Sequence, residues 1–360
     1  VGSEMCIRDS IQSAEAEWKN RKAKRSANNA VVEPLYTMED ADGVIRRLVP
    51  CHYNTIVEVC EGVKIRFTDI GHLLGSASIE VWLTEDGNTK KIVFSGDIGN
   101  KHQPLLKDPT PTKEADYVVM ESTYGDRMHP KDKLDYVAEL TKVLQETLDR
   151  GGNVVIPSFA VGRTQEILYF LRKIKVGRLV KGHEDFPVYV DSPLAKRATT
   201  IFCGDLRGYL DEEALALVQD GTHMFNFPGL HLTETVEESK LLNMDRTPKV
   251  ILSASGMCDA GRIRHHLKYN LWRPESSIVF VGFQSPGTLG RTLLDGAPSV
   301  KLFGEEVAVR AKVVNFQGLS SHADHDHLVN WISQFKEPKP QHVFVVHGDR
   351  EVAPVFAQTV

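Results

Sequence analysis

Four polar residues stand where apolar runs end. His72 lies in DIGHLLGSAS, Asp97 closes IVFSGD, Glu121 follows VVM and opens ESTYGD, and His347 follows VFVV and precedes Gly348-Asp349. Imidazoles and carboxylates are the groups that ligate zinc or carry protons near neutral pH. Strand ends are where α/β proteins gather such groups. A carboxylate just past an apolar run must be solvated, paired or bound to a metal. Taken singly, each has a plainer reading: a strand-end histidine is commonly a hydrogen-bonded structural residue, and a strand-end aspartate a turn former. All four in one chain, in a sequence with 14 histidines, point to metal chemistry.

Further residues carry weaker signals. His325 and His327 follow His322 at helical spacing, as extra ligands or as the polar face of a helix. His129 lies just after ESTYGD, where it would line a cleft mouth. Ser158 and Arg163, in PSFAVGRTQE, mark a strand–helix junction. A helix N-terminus beside an arginine suits a phosphate, and equally suits capping and a surface charge. SASGM (253–257) and GFQSPGTLGR (282–291) are Gly-rich turns able to offer backbone N–H groups to a nucleic-acid backbone. GRIRHHLKYNLWR (261–273) is either a basic helix that tracks phosphates or a solvated face. Cys203 and Cys258 read as buried small hydrophobes.

The elements that must hold these residues change texture along the chain. Residues 11–30 read as an exposed helix running into a loop, and a short helix is predicted from near Met38. TIVEVCEGVKIRFTD and ASIEVWLTEDGNTKKIVF alternate apolar and polar residues around turns at Glu61-Gly62 and Asp86-Gly87-Asn88, which predicts antiparallel strands. From Asp116 the pattern turns to strand–helix alternation. DYVVMES is a buried strand. A helix follows with Leu134, Val137, Leu140 and Leu144 on one face and Gly151 as its stop. Strands NVVIPSF, PVYVD, KVILSAS and SIVFVGF then imply a parallel layer. HVFVVHGD is one more strand, and 350–360 reads as a helix.

Composition bounds the function. The chain has 360 residues, room for two domains, with 43 Lys+Arg against 48 Asp+Glu and a net charge of −5. A global basic field is excluded as the basis of nucleic-acid binding, though local patches are not. No apolar run is long enough to span a membrane. Five cysteines without a CxxC pair are expected of a reduced, cytoplasmic protein.

The ordered series GHLLGSAS, FSGDIGN, ESTYGD, FAVGRTQE, VDSPLAK, SASGM, GLSSHAD and VVHGD resembles the β-CASP branch of the metallo-β-lactamase superfamily, above all its bacterial RNA-processing members and the nuclease subunit of the pre-mRNA 3′-end cleavage complex. The likeness covers residues 30–360. It implies an α/β fold of the α+β sandwich kind: a βααβ metallo-β-lactamase domain with an α/β β-CASP domain inserted as an RNA clamp. On this reading residues 11–125 belong to the first domain, 126–318 to the insertion and 319–360 to the return. By motif, His72 binds one zinc, Asp97 bridges both, and His347 binds the second. His322 is the catalytic histidine and Glu121 orients it. Ser158, Arg163, Ser320, Ser321 and His129 are candidates for contacts to RNA. In such a site two zinc ions about 3.5–4 Å apart hold a hydroxide for in-line attack at phosphorus. The implied activity is hydrolysis of RNA phosphodiesters, leaving 5′-phosphate and 3′-hydroxyl ends. Members that act on RNA carry histidine at the position of His347, and the DNA-repair branch an apolar residue.

One departure bears on activity. The family motif His-x-His-x-Asp-His is absent, and residues 11–71 offer only His52. Residues 1–10, VGSEMCIRDS, resemble a translated library adapter, and the chain also stops inside an expected helix. The expectation is a fragment truncated at both ends, whose parent is the zinc ribonuclease and which is inactive alone. Two other readings stay open: a non-catalytic scaffold subunit, and a small-molecule metallo-hydrolase. The large α/β insertion disfavours the latter, and the joint presence of His72, Asp97, Glu121, His322 and His347 the former. A homodimer stays open.

Overall fold

The computed structural model describes Ala16, Glu17, Asn20 and residues 31–129, 135–221, 223–316 and 319–360. It divides into two units, residues 1–52 and 53–360. In the first, α1 (Met38–Ile45) starts where the sequence places it. Thr37 and Asp40 form a reciprocal capping box that satisfies the N-terminal amides.

The second unit is built on two six-stranded sheets. The first carries β1 (Ile56–Cys60), β2 (Val63–Asp69), β3 (Ala77–Glu85), β4 (Asn88–Phe94) and β5 (Tyr117–Glu121). Its order is β1-β2-β3-β4-β5-β14, the last strand being β14 (His342–Val346). β1–β4 form the antiparallel meander that the alternation predicts, whereas β4, β5 and β14 run parallel. One face of the parallel part carries Val93, Val118, Met120, Val343 and Val345 and packs against Leu328, Trp331, Phe335 and Phe356. These come from or adjoin α9 (His325–Ser333) and α10 (Val352–Ala357). The opposite face is also apolar. Phe94, Val119 and Phe344 pair across it in register, and Phe94, Phe344 and Val346 are exposed, Phe344 at 52%.

The second sheet has the order β13-β10-β6-β9-β7-β8 and is parallel throughout. In chain order its elements, with one added hairpin, are α2 (Tyr136–Asp149), β6 (Val154–Pro157), α3 (Arg163–Val176), β7 (Val188–Val190), α4 (Pro193–Phe202), α5 (Glu212–Gln219), β8 (Leu230–Leu232), α6 (Val236–Met244), β9 (Val250–Ser253), α7 (Ile263–Asn270), β10 (Ser277–Phe280), α8 (Leu289–Leu294), the hairpin β11 (Ser299–Leu302) and β12 (Glu305–Ala308), and β13 (Lys312–Asn315). β6, β9 and β10 are buried at every position, as a parallel sheet covered on both faces requires. α3 lies deepest, buried from Arg163 through Leu171.

Three expectations need correction or limits. The face of α2 carries Val137, Leu140 and Leu144 as expected, with Val143 and Leu148 beside them, and Leu134 lies outside the described residues. Cys203 is exposed, because it caps the C-terminus of α4 instead of lying in its body, whereas Cys258 is buried. The helix within 261–273 is not a wholly solvated one. Arg262 and the buried His266 turn inward and bond Asp191 at 2.7 Å each. Among the described residues, no helix is long and apolar enough to cross a membrane.

Candidate active site

Strand register brings the chemistry together. β14 pairs with β5 so that Val346 lies opposite Glu121, and the next residues, Ser122 and His347, emerge side by side. Ser122 donates from its amide to the His347 carbonyl and from Oγ to the Val346 carbonyl. Gly348 sits so close that a β-carbon there would overlap the Ser122 hydroxyl, which is why Gly follows His347. His347 itself has φ +50°, a left-handed conformation costly for a residue with a β-carbon and typical of functional sites.

The His72 loop and the Asp97 loop are pressed together by a second close approach. Gly99 N–H donates to the Ile70 carbonyl at 2.8 Å, and a β-carbon on Gly99 would overlap the backbone of Gly71 and His72. Asp69 accepts from the Gly71 amide, and the Ser76 hydroxyl accepts from the amides of His72 and Leu73. The same Asp97 segment clamps the loop of His322, more than two hundred residues away in sequence. Asn100 N–H donates to the Ser321 carbonyl, and Ala323 N–H to that of Ile98, each at 2.8 Å.

Asp97 is flanked by two imidazoles. Its Oδ2 lies 3.8 Å from His72 Nε2 and its Oδ1 lies 3.3 Å from His347 Nδ1. The donor atoms of His72, Asp97 and His322, and those of Asp97, Glu121 and His347, form two clusters within 4.8 Å that share Asp97. Two imidazoles on opposite oxygens of one carboxylate form the N/O donor set that suits zinc, so the residues present fit the metal. The 3.8 Å separation is too long for a hydrogen bond. Burial and the neighbouring His322 hold the His72 imidazole at a pKa of about 4, so it is neutral and available as a ligand.

Glu121 is committed to a different task. Its carboxylate is 1% exposed and surrounded by donors. Oε1 accepts from Ile98 N–H, and Oε2 accepts from Thr123 Oγ1 at 2.5 Å and faces His322 Nδ1 at 2.9 Å. Three donors occupy most of its acceptor sites, which sets it apart from Asp97. Burial opposes the charged form of His322, but the hydrogen bond and charge of Glu121, with the charge of Asp97, outweigh it. The net effect raises the imidazole pKa. With Nδ1 bonded to Glu121, Nε2 is the nitrogen left for chemistry.

The remaining candidates take supporting places. His129 ring Nε2 bonds the His322 carbonyl at 2.9 Å, and its backbone N–H donates to Asp324, which also caps α9. The Ser320 hydroxyl accepts from His322 N–H. Ser321 Oγ accepts from Arg163 at 3.1 Å. Arg163 is buried and paired with Glu166. Ser158 is buried, its hydroxyl bonded to that of Thr164 at 2.8 Å. His325 bonds Asp326, and His327 lies beside Asp324 on α9, both outside the ligand clusters. Sequence reasoning passed over Thr123, which links Glu121 to His347. It also passed over Ser76 and Glu166. A hydroxyl carries no pattern of its own; only the ESTYG motif around Thr123 could have flagged it.

Residues 164–293 match the β-CASP domain, and residues 306–360 match the RNA specificity domain of zinc-dependent metallo-hydrolases. A ribonuclease of Thermus thermophilus is 39% identical over 321 residues, 89% of this chain and 70% of that protein. The chain belongs to the β-CASP ribonucleases of metallo-β-lactamase fold. An RNase J-like protein of Methanocaldococcus jannaschii is 33% identical over 328 residues, 90% of this chain and 73% of that protein. A transcription termination factor of Pyrococcus abyssi is 30% identical over 332 residues, 88% of this chain and 49% of that protein. As a β-CASP member the chain is a metal-using hydrolase of the RNA-processing class.

Proposed function

We propose that this chain carries the acid–base half of a two-zinc site that hydrolyses RNA phosphodiesters. The observation that carries the reading is the Glu121–His322 pair, 2.9 Å long, set beside an aspartate flanked by two histidines. Asp97 would bridge the metals, with His72 on one and His347 on the other. Zinc, when bound, supplies Lewis acidity toward the phosphoryl group and toward the attacking water.

The protein's own groups do the rest. His322 donates a proton from Nε2 to the leaving ribose oxygen. Glu121 holds the tautomer and stabilises the imidazolium before transfer. Thr123 keeps Glu121 and His347 in fixed relation. Ser320, Ser321 and His129 line the approach of the phosphate, with Arg163 and Ser158 bracing the loop from beneath. The division into a metallo-hydrolase part (11–125 and 319–360) and an RNA-clamping part (126–318) is supported by the two sheets, whose strands separate along those segments.

Zinc content and RNA cleavage, measured on the same preparations of the protein restored with a His-x-His-x-Asp-His segment, test the assignment. Asp97→Ala is expected to lose zinc. His322→Ala is expected to keep zinc and lose roughly 10²–10⁴-fold in rate, the usual worth of a positioned acid. Loss of zinc from His322→Ala would overturn the division of roles. Cleavage that is indifferent to salt would argue against a polyanionic substrate.

A further inference from the structure

Two large apolar rings stand in solvent among neighbours that are buried. Phe159 is 47% exposed, between the buried Ser158 and Ala160. Phe283 is 40% exposed, between Gly282 and the buried Gln284. Phe159 lies just past the C-terminal end of β6 and Phe283 just past that of β10, two strands that pair directly.

The loops that present these rings are braced. The Phe159 carbonyl accepts from the Thr164 amide and hydroxyl at 3.2 and 2.7 Å. The Gln284 amide donates to the carbonyls of Gly256 and Gly282 at 3.0 and 3.2 Å. Both loops meet at Gly256, where a β-carbon would lie 3.1 Å from the Phe159 ring. The rings are therefore held out by fixed hydrogen bonds.

Both also reach toward the reaction centre. Phe283 meets the edge of Tyr124 with centroids 6.2 Å apart, and Tyr124 meets His322 at 6.1 Å. The loop that carries Phe159 ends at Gly162, where a β-carbon would overlap Leu73, the neighbour of His72. A phenyl ring has no charge for a phosphate, but it offers a face to any nucleobase that is not already stacked in a helix.

We infer that Phe159 and Phe283 form a stacking platform for unpaired bases next to the scissile phosphate. The platform makes single-strandedness, and not base identity, the requirement at those positions. This rests on the ribonuclease reading above, and it names where that substrate's bases go.

The test uses equilibrium binding of the 360-residue chain in EDTA, so that no cleavage occurs. The probe is a short single-stranded RNA with 2-aminopurine placed at successive positions. Wild type is expected to quench the fluorophore at two positions. Phe283→Ala and Phe159→Ala are each expected to abolish one quench and to weaken binding roughly tenfold. Phe283→Tyr is expected to restore the Phe283 quench. Phe283→Leu, which keeps apolar bulk and guards against misfolding, is expected to lose it. An RNA with an abasic residue at the quenched position is expected to bind wild type and Phe283→Ala alike. Binding with no position-dependent quench, or an equal loss for the abasic RNA, overturns the platform and leaves the ribonuclease reading standing. No binding of RNA at all overturns both.

Discussion

Arg163→Ala is the substitution whose cost the structure defines best. Arg163 and Glu166 face each other one turn apart at the start of α3, with side chains 6% and 7% exposed. Removing the guanidinium leaves a carboxylate buried without its counter-charge, for which about 3–5 kcal/mol is the usual penalty. Burial already pushes the Glu166 pKa up, even with Arg163 pulling the other way. In the variant the group has less opposition to holding a proton in the folded state. A folded pKa above the unfolded one adds stability at low pH and loses it as pH rises through the folded value. The penalty should therefore be largest near neutrality and shrink on acidification. Arg163→Met with Glu166→Leu removes both charges at similar volume and should recover most of the loss or exceed wild type. The double variant still lacks the Arg163–Ser321 hydrogen bond. Amides of Ser321–Ala323 should then exchange faster while global stability has returned. Urea denaturation of wild type, the single variant and the double variant, with amide exchange by mass spectrometry, gives both readouts. A single-variant cost below about 1 kcal/mol, the range of an exposed pair, would refute the reasoning. So would a double variant no better than the single.

Three further outcomes are expected. Gly99→Ala should cost on the order of 1–3 kcal/mol or more in thermal unfolding, because its β-carbon meets the backbone of Gly71 and His72, which cannot swing aside; an unchanged melting temperature would mean that the two loops are not in contact. Burial alone would raise the Asp191 pKa, but hydrogen bonds from His266, Ser239 and Thr233 hold it well below the ordinary carboxylate value. Its stabilisation is thus present above about pH 4 and lost as the pH falls toward the folded value, so the stability gap between wild type and Asp191→Asn should narrow in acid; a gap independent of pH would contradict it. The open face bearing Phe94, Phe344 and Val346 should bind a hydrophobic dye, and Phe344→Glu should reduce that signal, with equal fluorescence as the contrary result.

Much of this was legible in the amino-acid sequence because its causes are local. Alternation between apolar and polar residues marks β1–β4, since a strand's side chains change face at every residue. The Asp86-Gly87 turn and the start of α1 near Met38 are set by a few neighbouring residues. His72, Asp97, Glu121 and His347 could be singled out because a polar group ending an apolar run is costly unless it has a partner.

Residue pattern alone did not assign those partners; the resemblance implied that Glu121 orients His322, and the tertiary structure sets them 2.9 Å apart. No local rule places His322 against Glu121 across 201 positions, or makes the Asp97 segment clamp its loop. Glu121 and Asp97 look alike in sequence. They differ because the fold surrounds one carboxylate with three donors and sets the other between two imidazoles. In the same way Arg163, Arg262 and His266 read as solvent-facing charge until packing turned them onto Glu166 and Asp191. Which face of a helix is inside, and which charge meets which, depends on elements far apart in the chain, and residue type alone does not encode that.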